Sequence, residues 1–458
     1  MTDTYRPYYC VWELTLRCNL SCIHCGSVAG RARPDELTTA EALDVVHQLA
    51  DLGCRLISLS GGEPTLRSDW EEIARTASRR GIVVNMVTNG TTMTADLARR
   101  MASAGLANVG LSLDGPEAVH DAIRGRGTFR RVISALGHLS AAGLPTAVMT
   151  TLDRSNAELL EVVHDLAAGF GASTWRLQLG KPMGRLAEHR RRLIRPQDLL
   201  AVMPTLMRLR RRSPIEVAVG DSLGYFGKVE PWLGRRSWTG DPAPWSGCQA
   251  GRRAIGIESD GGVKGCLSLQ AGLEGHEGHG DPFREGDLRS RDLEAIWLDP
   301  DAFAFNRQPE RLDGFCASCE HAAICRGGAK CVAAAFTGRL GDNPYCYHRV
   351  SQLARTARPS RLRRHVAAAA IALGLGGGLV GCDSRAVSTD GAVGGPGVEA
   401  GMQADGAPGQ DGTVQPDTFV LPPDAQLKPD TVDPCASVCC MCDYGIIPPE
   451  LWEKCCAD

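Results

Sequence analysis

Cys18-Asn19-Leu20-Ser21-Cys22-Ile23-His24-Cys25 stands just after the strand-like stretch Cys10 to Thr15. Three thiols in a Cys-x3-Cys-x2-Cys run are one short of the four that saturate an iron–sulfur cube or a structural zinc. A metal left with an open position can bind substrate, whereas a closed site holds structure together. The spacing alone also fits a zinc knuckle completed by His24 or by a distant cysteine. The residues that follow favour chemistry. Ile57-Ser58-Leu59-Ser60 reads as a buried strand running into Gly61-Gly62-Glu63-Pro64, Val83 to Thr88 ends in Asn89-Gly90, and Val109 to Leu113 ends in Asp114-Gly115. Each strand finishes in a small or polar cluster ahead of a helical pattern. That is the arrangement of a parallel α/β barrel, in which ligand groups collect at the carboxyl ends of the strands.

In this order and spacing the four motifs resemble those of the radical S-adenosylmethionine enzymes. Cys18 to Cys25 looks like the family's cluster loop and Ser60-Gly61-Gly62-Glu63-Pro64 like its methionine-binding motif. Thr88-Asn89-Gly90 and Ser112-Leu113-Asp114-Gly115 look like its third and fourth strand ends. The resemblance implies that Cys18, Cys22 and Cys25 hold a 4Fe-4S cluster and carry the catalysis. The fourth iron would be chelated by S-adenosylmethionine, and one-electron cleavage would release a 5'-deoxyadenosyl radical that abstracts a hydrogen atom. Gly61 and Gly62, lacking β-carbons, would let their backbone approach the cofactor. Glu63 would offer a carboxylate to its ammonium group. Ser112, Asp114 and Asn89 would reach the ribose, although Asn89-Gly90 and Asp114-Gly115 are also ordinary turn formers. His24 reads as a ring packed beside the cluster and not as a fourth ligand.

Thr38 and Glu41 form a capping box before an apolar-periodic helix ending at Leu52. Helical patterns recur at Trp70–Arg80, Thr94–Ala104, Thr128–Ala142 and Asn156–Gly169, with strands at Thr146–Thr151 and Thr174–Leu179. Six β/α units in about 180 residues suit an open, partial (β/α)6 TIM-like barrel better than a closed eightfold one. An open side admits a large substrate such as a peptide. Lys181-Pro182-Met183-Gly184-Arg185 then resembles a Pro-x-Gly-Arg signature of peptide-modifying members.

Beyond a Pro/Trp/Gly-rich connector come Cys248, Gly261-x4-Cys266, Cys316-x2-Cys319-x5-Cys325-x5-Cys331 and Cys346. This set is similar to the seven-cysteine SPASM extension, which carries auxiliary iron–sulfur clusters. The resemblance assigns Cys316, Cys319, Cys325 and Cys346 to one cluster and Cys248, Cys266 and Cys331 to another, so that one or two auxiliary clusters are expected. Two departures stand out. Five residues separate Cys325 from Cys331 where the family usually has three, and no eighth cysteine completes the second set. A zinc ribbon is the structural alternative. Cys10 and Cys54 read as ordinary buried cysteines.

The expected organisation of the 458 residues is a core barrel over 1–195, a connector over 196–247 and a SPASM-like domain over 248–350. A basic and apolar segment over 351–382, a disordered acidic linker over 383–434 and a cysteine-rich peptide over 435–458 follow. Arg361 to Arg364, the apolar run Val366 to Val380 and Leu379-Val380-Gly381-Cys382 have the layout of a bacterial lipoprotein signal. The run is short for a membrane span, which needs about 20 residues. Residues 361–382 are the candidate membrane attachment of an otherwise cytoplasmic enzyme, since Met1 to Pro7 is polar and reads as no signal peptide.

Nineteen cysteines would suggest a disulfide framework, but ten of them fall in cluster motifs that need a reducing compartment. Net charge is −3, distributed as −10 over residues 383–458 and +7 over the remainder. The arginines at 190–192, 195, 208 and 210–212 lack interleaved aromatics, so nucleic acid is not an expected partner. The expected partners are a peptide or protein substrate and an electron donor of flavodoxin or ferredoxin type. Cys435, Cys439, Cys440, Cys442, Cys455 and Cys456, held on an acidic leash, would make the enzyme's own tail one such peptide. A tetrapyrrole-modifying enzyme is the alternative within the family. A zinc-binding, membrane-tethered interaction protein is the alternative outside it.

Overall fold

Alternation of side chains along the strands shapes this molecule. In a strand successive residues point to opposite faces. In β1 (Tyr9–Thr15) this buries Cys10, Trp12 and Leu14 on one face and turns Val11 and Glu13 to the other. In β6 (Thr174–Leu179) Trp175, Leu177 and Leu179 are buried, while Thr174, Arg176 and Gln178 face the opposite way. The apolar faces meet the helices and the polar faces line a concave interior.

The computed structural model describes residues 5–220, 223–224, 246–270, 280–308 and 311–357. Residues 225–245 of the connector, the apolar segment at 361–382, the acidic linker and the cysteine-rich end lie outside the described residues. The strands β2 (Leu56–Gly61), β3 (Val83–Thr88), β4 (Leu106–Ser112), β5 (Thr146–Leu152) and β7 (Glu216–Val219) join β1 and β6 in one parallel run, in chain order. The opposite flank of β1 is taken by β8 (Ala254–Ile257), again parallel, with Tyr9 opposite Ala254 and Trp12 opposite Ile257. Two antiparallel strands, β9 (Gly262–Lys264) and β10 (Arg284–Asp287), complete a ten-stranded sheet.

The helices α1 (Thr39–Asp51), α2 (Trp70–Arg79), α3 (Ala95–Ser103), α4 (Glu117–Arg124), α5 (Thr128–Ala141) and α6 (Leu160–Gly169) fill the connections between these strands. The capping box is present, Glu41 N donating to Thr38 Oγ1 and Thr38 N to Glu41 Oε2 at 2.8 Å. Three features depart from the sequence expectation. The helix α4 follows Asp114-Gly115-Pro116, whose turn chemistry masked it. The helix α6 begins at Leu160 and not at Asn156, because the wholly buried Asn156 amide donates instead to the carbonyls of Asp114 and Thr151. The stretch assigned to the connector opens with a helix, Leu199–Arg212, and then β7, so the sheet continues past residue 195.

Trp175 anchors the helix side of the sheet, wholly buried with Nε1 donating to Thr150 Oγ1 at 2.9 Å. Trp175→Ala is expected to cost about 3–5 kcal/mol and Trp175→Phe, which loses mainly the hydrogen bond, about 1 kcal/mol. Chemical denaturation followed by circular dichroism checks both.

Candidate active site and metal centres

The loop carrying Cys18, Cys22 and Cys25 is tied down through its backbone. Cys18 N donates to Gly30 O and Gly30 N to Leu16 O, both at 3.0 Å, which closes the loop on itself. The Glu36 carboxylate accepts from Thr15 Oγ1 and from Leu16 N, fixing the exit of β1. From the far side of the barrel Arg185 N donates to Cys25 O, and its guanidinium reaches Cys22 O and Ala29 O. Gly184 makes this approach possible. It adopts φ 50° and ψ −133°, and a β-carbon there would lie 2.3 Å from Gly26 O and 2.4 Å from Cys25 O. With the carbonyls engaged, the thiols are left for a ligand. Burial pushes the Cys18 and Cys22 thiols up, with Cys25 adding to both and Cys18 to Cys22. A metal that displaces the protons relieves both effects.

Gly61 and Gly62 press against the same loop. Gly62 N donates to Thr15 O and Glu63 N to Arg17 O, both at 2.8 Å. A β-carbon on Gly62 would sit 2.2 Å from Arg17 O. Gly61 adopts φ +118° and lines the central cavity beside Ser60. Glu63 is bonded within the protein. Its carboxylate is wholly buried and does not face the cavity. Oε1 accepts from Thr65 Oγ1 and Thr88 Oγ1, both at 2.7 Å, and Oε2 from Asn89 N at 2.8 Å. Burial pushes this carboxyl up, and those bonds oppose the shift. Glu63 thus clasps the ends of β2 and β3.

Asn89 also turns toward the loop, its amide donating to Asn19 Oδ1 at 2.8 Å with Cys18 Sγ 3.9 Å away. Asp114 is likewise wholly buried, with Oδ1 taken by Thr151 N at 2.9 Å and Oδ2 by Arg124 and His24. Burial would raise it, but Arg124 and His24 hold it well below the usual carboxylate range. A buried carboxylate without such partners would be strongly destabilising. Asp114 therefore positions Arg124 and His24, both of which line the cavity, instead of presenting its own oxygens there. His24 keeps Nε2 on this cluster, 3.0 Å from Asp114, and its buried Nδ1 has no partner among the described residues. Ser112 opens onto the cavity.

Arg124 was not singled out from sequence. The signal was present in principle, because His120 and Arg124 lie one turn apart on α4. His120 Nδ1 faces Asp114 N at 3.2 Å. Burial first, and then Arg124, push His120 down to about 4. Arg33, which spans Glu13 and Glu258 and so ties β1 to the segment after β8, was also missed.

The later cysteines separate into the two expected sets. Cys316, Cys319, Cys325 and Cys346 line one small pocket with His321 and His348. Burial drives Cys325 and Cys346 up to about 12, with Cys346 adding to Cys325. Cys248, Cys266 and Cys331 line the other feature, the central cavity of about 470 Å³. Burial followed by Cys331 raises Cys248 to about 12. Four thiols around one pocket suit a closed cluster, and three on a cavity wall suit an incomplete one. Lys181 Nζ lies 3.3 Å from Cys331 Sγ, and Gln270 Nε2 donates to Gly26 O at 3.0 Å. The cavity runs from the Ser60, Gly61 and Ser112 rim to this second cysteine trio. The glycine cradle, the orphaned His24 Nδ1 and the grouped thiols together fit iron–sulfur clusters and a cofactor with an amino-acid end.

Comparison with known proteins agrees with this geometry. Residues 12–167 match the model of the radical SAM superfamily, and residues 248–320 match SPASM, an iron–sulfur cluster-binding domain. An AdoMet-dependent heme synthase of Methanosarcina barkeri is 30% identical over 355 residues, covering 76% of this chain and 98% of that protein. The mycofactocin maturase MftC of Mycolicibacterium smegmatis is 33% identical over 354 residues, covering 74% and 82%. Among solved structures, anSMEcpe with bound AdoMet superposes with a TM-score of 0.58 at 16% identity, over 75% of this chain and 95% of that one. Streptococcus suis SuiB bound to S-adenosylmethionine gives 0.57 at 16% identity, over 75% and 76%. The chain belongs to the radical S-adenosylmethionine superfamily and is an enzyme of the SPASM-bearing kind, with 4Fe-4S clusters and S-adenosylmethionine as its cofactors.

Proposed function

We propose that this enzyme modifies a peptide or protein bound in the central cavity, using a catalytic cluster on Cys18, Cys22 and Cys25. The observation that carries the reading is the cavity itself, which has the catalytic loop's His24 and the Cys248, Cys266 and Cys331 thiols on its walls. S-adenosylmethionine, when bound and reduced at that cluster, supplies a 5'-deoxyadenosyl radical for hydrogen abstraction. The chain's own residues hold the pieces in place. Gly61 and Gly62 bring backbone to the methionine end, Ser112 offers a hydroxyl on the cavity side, and Arg124 is steadied there by Asp114. Asn89 and Glu63 shape the loop instead of touching the cofactor. Cys316, Cys319, Cys325 and Cys346 hold an auxiliary cluster, and Cys248, Cys266 and Cys331 a second for which the described residues line the cavity with no fourth cysteine. Electrons come from a flavodoxin- or ferredoxin-type donor.

Identity of 33% to MftC supports a peptide substrate. The second reading, a tetrapyrrole substrate, is favoured by the heme synthase of Methanosarcina barkeri, which this chain spans almost end to end. The cysteine-rich residues 435–458 are the peptide nearest to hand. The 361–382 segment would tether the enzyme to a membrane, while among the described residues no helix is long and apolar enough to cross one.

Anaerobically reconstituted protein is expected to carry about eight to twelve irons with matching sulfide and little zinc. Replacing Cys18, Cys22 and Cys25 by Ala removes about four of them and all 5'-deoxyadenosine release. Replacing Cys316, Cys319, Cys325 and Cys346 by Ala removes about four and leaves cofactor cleavage measurable. Stoichiometric zinc would overturn the assignment. Gly184→Ala, forced against Cys25 O and Gly26 O, should lower iron loading at the catalytic loop alone. Electron paramagnetic resonance with and without S-adenosylmethionine checks this, since the cofactor perturbs only the catalytic signal. Substrate class is read from mass spectrometry after turnover with the 435–458 peptide and, separately, with a dipropionate porphyrin.

A further inference from the structure

We infer that the floor of the cavity is a carboxylate-binding subsite for the substrate, built around Arg176 with Asn85, Asn108 and Thr174. The inference rests on the reading of the cavity as the substrate site and adds to it what the substrate must carry.

Arg176 is half-buried on the concave face of β6 and lines the cavity. Among the described residues it has no carboxylate within ion-pair distance and donates no hydrogen bond. The other cations lining the cavity are engaged, Arg124 by Asp114 and Lys181 at Cys331. Glu13, the acid on the same wall, is bound by Arg33. Other polar groups lining the cavity are equally unmatched. Among the described residues Asn85 Nδ2 and Oδ1, Asn108 Nδ2 and Thr174 Oγ1 are buried without partners. These residues are 4%, 3% and 0% exposed, and all three line the cavity. The strand register makes Ser58, Asn85 and Asn108 neighbours in a row across β2, β3 and β4. Tyr9, whose phenol donates to Ser58 Oγ at 3.0 Å, also feels the charge of Arg176, so β6 and β1 converge on the same floor.

The inventory is rich in donors. The N–H groups of the guanidinium fork, two amide NH2 groups and a hydroxyl outnumber the two amide oxygens. Buried polar groups are ordinarily paired, and a set left open in this proportion calls for an acceptor that carries negative charge. A planar carboxylate matches the guanidinium fork in two parallel hydrogen bonds. A peptide carboxylate and a tetrapyrrole propionate share that chemistry.

The test is calorimetric binding to the reconstituted holoenzyme with S-adenosylmethionine bound and no reductant, so that turnover plays no part. Two matched pairs serve as probes, N-acetyl-dialanine as acid and amide, and a porphyrin dipropionate and its diamide. Expected is an acid bound about tenfold more tightly than its neutral twin in at least one pair. Arg176→Gln abolishes that preference and Arg176→Lys retains part of it. Asn85→Leu weakens the acid several-fold and leaves the amide unchanged. Iron content and cofactor binding equal to wild type certify each variant. Equal binding of acid and neutral twin in both pairs overturns the subsite, as does an acid preference that survives Arg176→Gln. A preference confined to the porphyrin pair upholds the subsite and rejects the peptide reading.

Discussion

Two backbone hydrogen bonds, from Gly62 N to Thr15 O and from Glu63 N to Arg17 O, hold the end of β2 against the exit of β1. No side chain fits between them, because a β-carbon on either Gly61 or Gly62 would fall within 2.5 Å of a carbonyl oxygen of the Thr15–Arg17 segment. Everything in the catalytic region is referenced to this junction. It fixes where the cysteine loop starts, it brings Glu63 under Thr88 and Asn89 so that β3 is drawn in, and it leaves Gly61 open to the cavity. The glycines are therefore structural in the strict sense and permissive for a ligand at the same time.

Charge is used in this site chiefly to position other groups. Glu63, Asp114 and Glu13 are all buried and all bonded within the protein. Burying a carboxylate is costly unless it is paired, and once paired it is rigid. Each of the three joins segments distant in sequence, Glu13 linking β1 to Arg33 and Ser259, and Asp114 linking α4, the cysteine loop and β5. Of the three, Glu13 lines the cavity, paired with Arg33, and the other polar groups facing it are cationic or neutral. A chamber of this polarity suits electron-rich substrate groups, whichever macromolecule or ring carries them.

The parts of this architecture legible in sequence were those with short-range signatures. Six strands were evident because each is an apolar run closed by a turn cluster, and Thr38 with Glu41 announced α1. The division of the seven later cysteines into a set of four and a set of three followed from resemblance, and the pockets keep that division. Contacts between distant segments were illegible. Nothing local in Asp114-Gly115 distinguishes a carboxylate aimed at a ribose from one claimed by Arg124 and Thr151. Arg176 looks like any charge in a strand until alternation places it on the concave face and the sheet's curvature brings it near Tyr9. Helix α4 was lost because a proline and a glycine precede it, although its own first turn is regular.

The parallel pairing of β8 with β1 has a consequence for how this chain can be divided. The SPASM region reads in sequence as an appended module, yet its first strand continues the barrel sheet on the flank opposite β7. Removing everything after residue 247 would strip β1 of that neighbour and leave the amides and carbonyls on that edge unpaired along a buried apolar strand. An open edge of this kind recruits other chains. The barrel and its iron–sulfur extension are thus one folding unit, and the cut that separates them in a diagram would yield an aggregate in solution.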